Sequence, residues 1–339
     1  MKAIGYTDAQ FGLPIDDPHA LAEFILPDPV PRERDLLVEV RAVSVNPGDT
    51  KIRRRSKPPP NEVRVLGWDA VGIVRATGSE VTLFEPGDRV WYAGSNTRPG
   101  TNSQLHRVDE RIVGHAPASL DDARAAALPL TGITAWELLF DRLEIERDTG
   151  AGSILVVGAG GGVGSILVQL ARQLTRLVVI GTASRPLTAD WVRDLGAHYV
   201  IDHSRPLSTE LSKIGLCPVD YAASLTQTDR HIWEIAESLR PQGRIGLIDD
   251  PGLFDIRILK PKSISLHWEL MLTRPGYETP DMIAQHRILE ELATLVDKGV
   301  IRSTYSEHYG KINAANLRRA YARIESGTTR GKIVLEGWE

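Results

Sequence analysis

The segment ILVVGAGGGVGSILVQLAR, residues 154–172, places five glycines within seven residues between two apolar runs. Backbone without Cβ atoms turns sharply and can touch a bulky anion directly, and a helix starting there offers its unbonded N–H groups. Ala159, Gly161 and Gly164 fill an AxGxxG form of the GxGxxG dinucleotide frame. One position permits the turn, one admits a pyrophosphate, and one lets the helix pack against the strand. The backbone of Ala159, Gly161, Gly162, Val163 and Gly164 is therefore the expected pyrophosphate cradle. A purely structural turn would use the same glycines. What favours a ligand is the context: Ile154 to Val157 reads as a buried strand, and Ile166, Leu167, Leu170, Ala171 and Leu174 recur on one helical face. A membrane span is a poor alternative, because the glycines break the helix and Gln169 and Arg172 follow at once.

The end of the next strand decides which dinucleotide fits. An acid there would hold a ribose diol, but LVVIGTASRPLTAD offers Thr182, Ser184 and Arg185, with no carboxylate before Asp190, which is expected to start a helix. A hydroxyl and a guanidinium suit a 2′-phosphate, so NADPH is expected over NADH.

These groups need a scaffold. Strand-like runs ILVVG, LVVIGT, YVID, VDYAAS and RIGLID alternate with helical patterns from about residue 124, which predicts a doubly wound parallel sheet. The first 120 or so residues instead carry short alternating runs broken by Pro and Gly, the pattern of a small β-rich domain. Beyond residue 262 the expected elements are SISLHWEL, helices over 281–298 and 313–325, and a last strand GKIVLE. The basic run KIRRRSK before three prolines reads as a solvated loop. With 339 residues, 42% hydrophobic and 25% charged, the chain is long enough for two domains. A net charge of −4 argues against nucleic acid or an anionic membrane as partner. One cysteine, Cys217, allows no intrachain disulfide and no cysteine zinc cluster, and the start MKAIGYTDAQ lacks a secretory pattern, so a cytoplasmic protein is expected.

The order SVNPGDTKIR, GWDAVG, PGDRVW, LPLTGITAWELL and LGAHYVID, with the glycine turn in place, resembles the medium-chain dehydrogenase/reductase superfamily over essentially the whole chain. Within it the sequence is most similar to the quinone oxidoreductase branch and to bacterial zinc-type alcohol dehydrogenase-like proteins. The resemblance implies a GroES-like catalytic domain of residues 1–123 and 263–339, a Rossmann NADPH-binding domain of residues 124–262, and an active site in a cleft between them. It also implies a zinc site that the residues do not supply. The metal-ligand positions fall on Asn46, Trp68, Asp69 and Leu130, and an indole and an alkyl side chain donate no lone pair. No zinc is expected. The loop YAGSNTRPGTNSQL has no cysteine for a structural metal either.

Without zinc an alkoxide is unsupported, whereas hydride transfer to a quinone or α,β-unsaturated carbonyl needs only a neutral donor to the oxygen. Tyr92 is the candidate donor and Asn46 can orient the nicotinamide ribose or the substrate, with Thr131 and Thr134 where the family approaches the nicotinamide. By the same resemblance Ile248, Asp249 and Asp250 line the nicotinamide pocket and His203 lies beside the adenosine phosphate. Lys332 lies near the pyrophosphate, with Asp69 as ion-pair partner. SISLHWEL resembles a strand that pairs across a homodimer. The expected partner is a small hydrophobic carbonyl or quinone. Two other readings stand beside this one: an NADPH-binding module whose output is a partner interaction, and a zinc alcohol dehydrogenase.

Overall fold

The computed structural model describes all 339 residues. The chain forms two compact units, Met1–Ile133 with Met271–Glu339, and Thr134–Leu270.

The first unit is a GroES-like assembly of strands. Its long strand Asp35–Ser44 pairs with Ala70–Thr77, Leu105–Asp109 and Lys332–Glu336, all antiparallel. Alternation along DLLVEVRAVS puts Leu36, Val38, Val40 and Val43 into one core with Tyr6, Trp68, Tyr92 and Leu335. Register shifts between Leu37 and Val38 and between Val40 and Ala42 bend this sheet. The basic run is not a loop. Residues Pro47–Arg55 form a helix, started by Pro47 and by an Asn46 N–H donated to the Asp49 carboxylate at 2.9 Å. Arg53 turns inward to donate to the Leu13 carbonyl at 2.9 Å.

The second unit is Rossmann-like. Its six strands, in chain order Ala151–Val157, Arg176–Thr182, Tyr199–Ile201, Val219–Ser224, Leu239–Leu247 and Ser265–Trp268, are all parallel. They lie side by side in the order 3-2-1-4-5-6, so the direction of winding reverses between the first and fourth strands. Leu155, Val157, Ile180, Ile201, Ala222 and Ile245 fill one core of this sheet. Helix Gly162–Leu174 buries Ile166, Leu167, Leu170, Ala171 and Leu174, as their spacing predicts. Asp190 does not start a helix: Pro186 does, at its first turn, and the carboxylate sits one turn further on, paired with Arg193. The late helices span Ala284–Asp297 and Ala314–Glu325, the second capped by Asn313, which accepts from Asn316 N at 2.8 Å. No helix is long and apolar enough to cross a membrane.

Candidate functional site

In the Rossmann-like unit Gly158, Gly160 and Gly164 are needed for the protein's own packing, whereas Gly161 is not. Gly158 has φ +86°, where only glycine is unstrained. A Cβ on Gly164 would lie 2.4 Å from the Gly158 carbonyl oxygen and 2.6 Å from Ala159 Cα, so the helix can approach the turn only with glycine there. A Cβ on Gly160 would meet Thr188 at 2.2 Å. On Gly161 the nearest atom would be the Gly158 oxygen at an ordinary 3.5 Å, and φ is −75°. Nothing within the chain fills that space. Gly161 is also the N-cap of helix Gly162–Leu174, which no side chain caps, so its first-turn N–H groups are open to an anion. The cradle thus fits a pyrophosphate.

Thr182 ends the second strand and ties this turn to the next loop. Its Oγ1 accepts from Gly158 N at 3.2 Å and lies 3.1 Å from His203 Nδ1. Ser184 and Arg185 follow on the surface. Ile248 is half-buried and Asp250 exposed. Asp249 is engaged structurally, accepting from Thr228 N at 3.0 Å and from Thr228 Oγ1 at 2.6 Å, which caps helix Thr228–Ser238. Thr134 is buried.

In the GroES-like unit Asn46, Asp69 and Lys332 meet in a closed polar centre. Lys332 is 3% exposed. Its ammonium donates to Asp69 Oδ2 at 2.9 Å, to the Val45 carbonyl at 3.1 Å, and to Asn46 Oδ1. Asn46 Nδ2 donates to Asp69 Oδ2 at 2.8 Å, Ser44 Oγ does so at 2.8 Å, and Leu130 N donates to Asp69 Oδ1 at 2.7 Å. Every proton of the Lys332 ammonium is used inside this unit, which leaves none for the pyrophosphate contact expected of it. Asp69 caps the start of helix Pro129–Trp136 as well as pairing with the lysine.

Two further expectations change. Tyr92 is 0% exposed in the core, and its hydroxyl lies 3.2 Å from His106 Nδ1. His106 Nε2 lies 2.9 Å from the Pro99 carbonyl, which can only accept, so Nδ1 is the acceptor and takes the Tyr92 proton. Burial pushes the phenol well above its ordinary value and the imidazole down to about 4. Tyr92 is therefore a structural hydroxyl, not a donor to substrate. Thr131 is buried and returns its hydroxyl to the Leu128 carbonyl at 3.2 Å, just before the start of its own helix.

The donor set does not fit a divalent metal. Trp68 and Leu130 have nothing to coordinate with, and the space between Asn46 and Asp69 is taken by the Lys332 cation. No three His, Cys, Asp or Glu side chains converge elsewhere.

Sequence reasoning missed a buried carboxyl pair. Glu137 and Glu269 share a hydrogen bond, and Arg142 Nε donates to Glu269 Oε2 at 2.8 Å. Burial, then the Glu137 charge, raise Glu269 to about 9 against the pull of Arg142, so Glu269 keeps its proton at neutral pH. Nothing in WELLFDR or LHWELM marks two glutamates 132 positions apart as neighbours.

One chain thus carries a GroES-like sheet unit and a parallel 3-2-1-4-5-6 unit with an open glycine cradle, the composition of a two-domain oxidoreductase. Comparison with known proteins agrees. Residues 32–121 match the alcohol dehydrogenase GroES-like domain and residues 195–335 the zinc-binding dehydrogenase domain. A zinc-type alcohol dehydrogenase-like protein of Staphylococcus aureus is 39% identical over 314 residues, 91% of this chain and 92% of that one. A solved Rhizobium etli protein, provisionally named a zinc-dependent alcohol dehydrogenase, is 55% identical with a TM-score of 0.95, covering 100% of this chain and 98% of that one. The Escherichia coli quinone oxidoreductase solved with NADPH is 27% identical with a TM-score of 0.82, covering 99% and 100%. The chain belongs to the medium-chain dehydrogenase/reductase superfamily and is an oxidoreductase.

Proposed function

We propose that the protein is an NADPH-dependent reductase that passes hydride to a quinone or an α,β-unsaturated carbonyl without zinc. The observation that carries the zinc-free reading is the Lys332 ammonium held between Asn46 and Asp69, beside a tryptophan and a leucine where ligands would be needed. The similarity to a quinone oxidoreductase solved with NADPH supports both acceptor class and cofactor.

When bound, the nicotinamide supplies the hydride. The chain's contribution is placement. The amides around Gly161 to Gly164 hold the pyrophosphate, and Ser184 and Arg185 offer a hydroxyl and a guanidinium to the 2′-phosphate. Thr134, Ile248 and Asp250 are proposed to bound the nicotinamide, and Asp249 to fix the loop that carries them. Asn46 acts as a positioning residue, because Asp69 and Lys332 set the direction of its amide. No buried proton donor is required. A conjugated acceptor spreads its charge onto oxygen, where solvent can protonate it.

The catalytic domain is proposed to be residues 1–133 with 271–339 and the cofactor domain residues 134–270, rather than the expected 1–123 with 263–339 and 124–262, because strand Ser265–Trp268 pairs with Leu239–Leu247 in the parallel sheet. Ser265–Trp268 is an outer strand of the six-stranded sheet, with Trp268 and Leu270 each 55% exposed, which supports a homodimer built on that edge.

The test is NADPH oxidation by purified protein across quinones and enones, before and after chelation, with benzyl alcohol and NADP⁺ as the counter-assay. Turnover that chelator leaves unchanged is expected, with no alcohol oxidation. Chelator-sensitive alcohol oxidation would overturn the reading. Arg185→Ala should cut the preference for NADPH over NADH by about tenfold to a hundredfold, the worth of a charge-assisted phosphate contact, as measured by nucleotide titration.

A further inference from the structure

The crevice where the Rossmann-like sheet reverses direction is flanked by two histidines from opposite sides. His203 follows the third strand, Tyr199–Ile201, and His231 lies on helix Thr228–Ser238, which follows the fourth, Val219–Ser224. Their rings meet edge to face with centroids 6.0 Å apart, across the carboxyl ends of the strands where dinucleotides bind in this topology. His203 is fixed through Thr182, the residue that both ends the second strand and accepts from the first amide of the glycine turn. The next residues of that strand's loop are Ser184 and Arg185. The histidine pair therefore stands where the adenosine ribose must lie if the turn holds the pyrophosphate.

We propose that His203 and His231 form a second half of the 2′-phosphate subsite that becomes cationic when the phosphate arrives, so that NADPH, but not NADH, binds with uptake of a proton. The proposal rests on the NADPH reading above.

Hydrogen bonding permits the change. Thr182 Oγ1 has two lone pairs: one takes the Gly158 N–H, and the other can take an Nδ1–H once His203 is protonated. Nε2–H is then a donor to an incoming anion. The surrounding charges set the direction. His203 faces Asp202 beside it, Arg185 from the second-strand loop, and His231 from the helix. His231 faces Asp229, Arg230 and Glu234 on its own helix, and His203. Burial is the largest influence on both and favours the neutral form; for His203 the neighbouring His231 comes next, opposed by Asp202. Both rings are thus held below the ordinary histidine value in the empty site. A phosphate carrying nearly two negative charges reverses that balance and draws a proton from buffer onto the imidazoles. NADH carries no such charge at this position.

Calorimetric titration of the intact protein at about pH 7, in buffers of different ionisation enthalpy, reads the proton directly. NADPH binding should take up about 0.3 to 1 proton and NADH none. His231→Gln and His203→Gln should each reduce that uptake and lower the NADPH-to-NADH affinity ratio by about threefold to tenfold. Tighter binding of NADPH with no proton uptake in the unmodified protein would overturn the histidine inference and leave the cofactor reading standing. Equal affinity for the two nucleotides, or binding of neither, would overturn both.

Discussion

The two polar centres of the molecule are built on opposite principles. In the GroES-like unit, Asn46, Asp69 and Lys332 spend nearly all their hydrogen-bonding capacity on one another, on Ser44 and on backbone. In the Rossmann-like unit the glycine turn leaves amides and space unspent around Gly161. Only the second arrangement can gain by accepting a ligand. The first holds a cation and a carboxylate at fixed places in the dry interior and so gives direction to Asn46. A centre rich in polar residues is therefore not by itself a binding site.

The largest test removes the cation. Lys332→Met leaves Asp69 buried and charged with one strong partner fewer, and losing one member of a buried ion pair costs about 3 to 5 kcal/mol. Chemical denaturation should show that loss. The double variant Asp69→Asn with Lys332→Met should recover part of it, because neither charge then stands alone. A Lys332→Met protein as stable as the parent would mean that the centre is wet and open, and the contrast would fail.

The other half of the comparison is tested at the glycines. Gly161→Ala should fold normally, since its Cβ meets only an ordinary contact at 3.5 Å, yet weaken NADPH by about tenfold or more by intruding where the pyrophosphate sits. Gly164→Ala should lower the unfolding temperature as well, because its Cβ would sit 2.4 Å from a carbonyl oxygen. Equal effects of the two substitutions on folding would show that Gly161 too serves packing.

These cases also show what the sequence makes legible. The glycine turn is readable because close backbone approach excludes every other residue, and strand and helix flank it within 21 residues, Ile154 to Leu174. The start of helix Pro47–Arg55 carries a readable signal, Asn46-Pro47 with Asp49 three positions on, although the basic run that follows suggests a loop. The Asp69–Lys332 pair joins positions 263 apart, and only resemblance to a family brings them together. That resemblance gives the partner but not the burial, which is what rules Lys332 out as a phosphate contact. Tyr92 misleads for the same reason. Its strand alternation does not say that the next strand brings His106 over its hydroxyl. Glu137 and Glu269 are invisible because a buried carboxyl pair has no spacing rule.

That pair sharpens the comparison by supplying a closed centre with a titratable proton. Glu269 is raised to about 9, far above its ordinary value, so between roughly pH 5 and 9 the folded chain holds a proton that the unfolded chain has released. Stability must then fall as pH rises through that window, by no more than about 1.4 kcal/mol per pH unit. Glu269→Gln keeps a donor for Glu137 without the proton. Its unfolding temperature should exceed the parent's above about pH 7 and depend less on pH. A parent whose stability rises between about pH 7 and 9 would show that the two carboxylates are ionised and apart.

The smallest effect is expected where a catalytic role looked natural from sequence alone. Tyr92→Phe removes one hydroxyl from a closed site and leaves His106 Nδ1 without its donor, at a cost of about 1 to 3 kcal/mol in stability. Turnover should change by less than about twofold, for quinones and enones alike, because the hydroxyl is shut off from solvent and already committed to the imidazole. A donor to a developing oxyanion behaves differently: its loss costs about a hundredfold to a thousandfold in kcat. The two roles therefore separate in one variant, since denaturation reads the first and kcat the second. A large fall in kcat with stability unchanged would place Tyr92 at the reacting oxygen and require the strand Arg89–Tyr92 to open during turnover. A stability loss with kcat preserved would put Tyr92 with Lys332, among the groups whose polarity is spent on holding the fold.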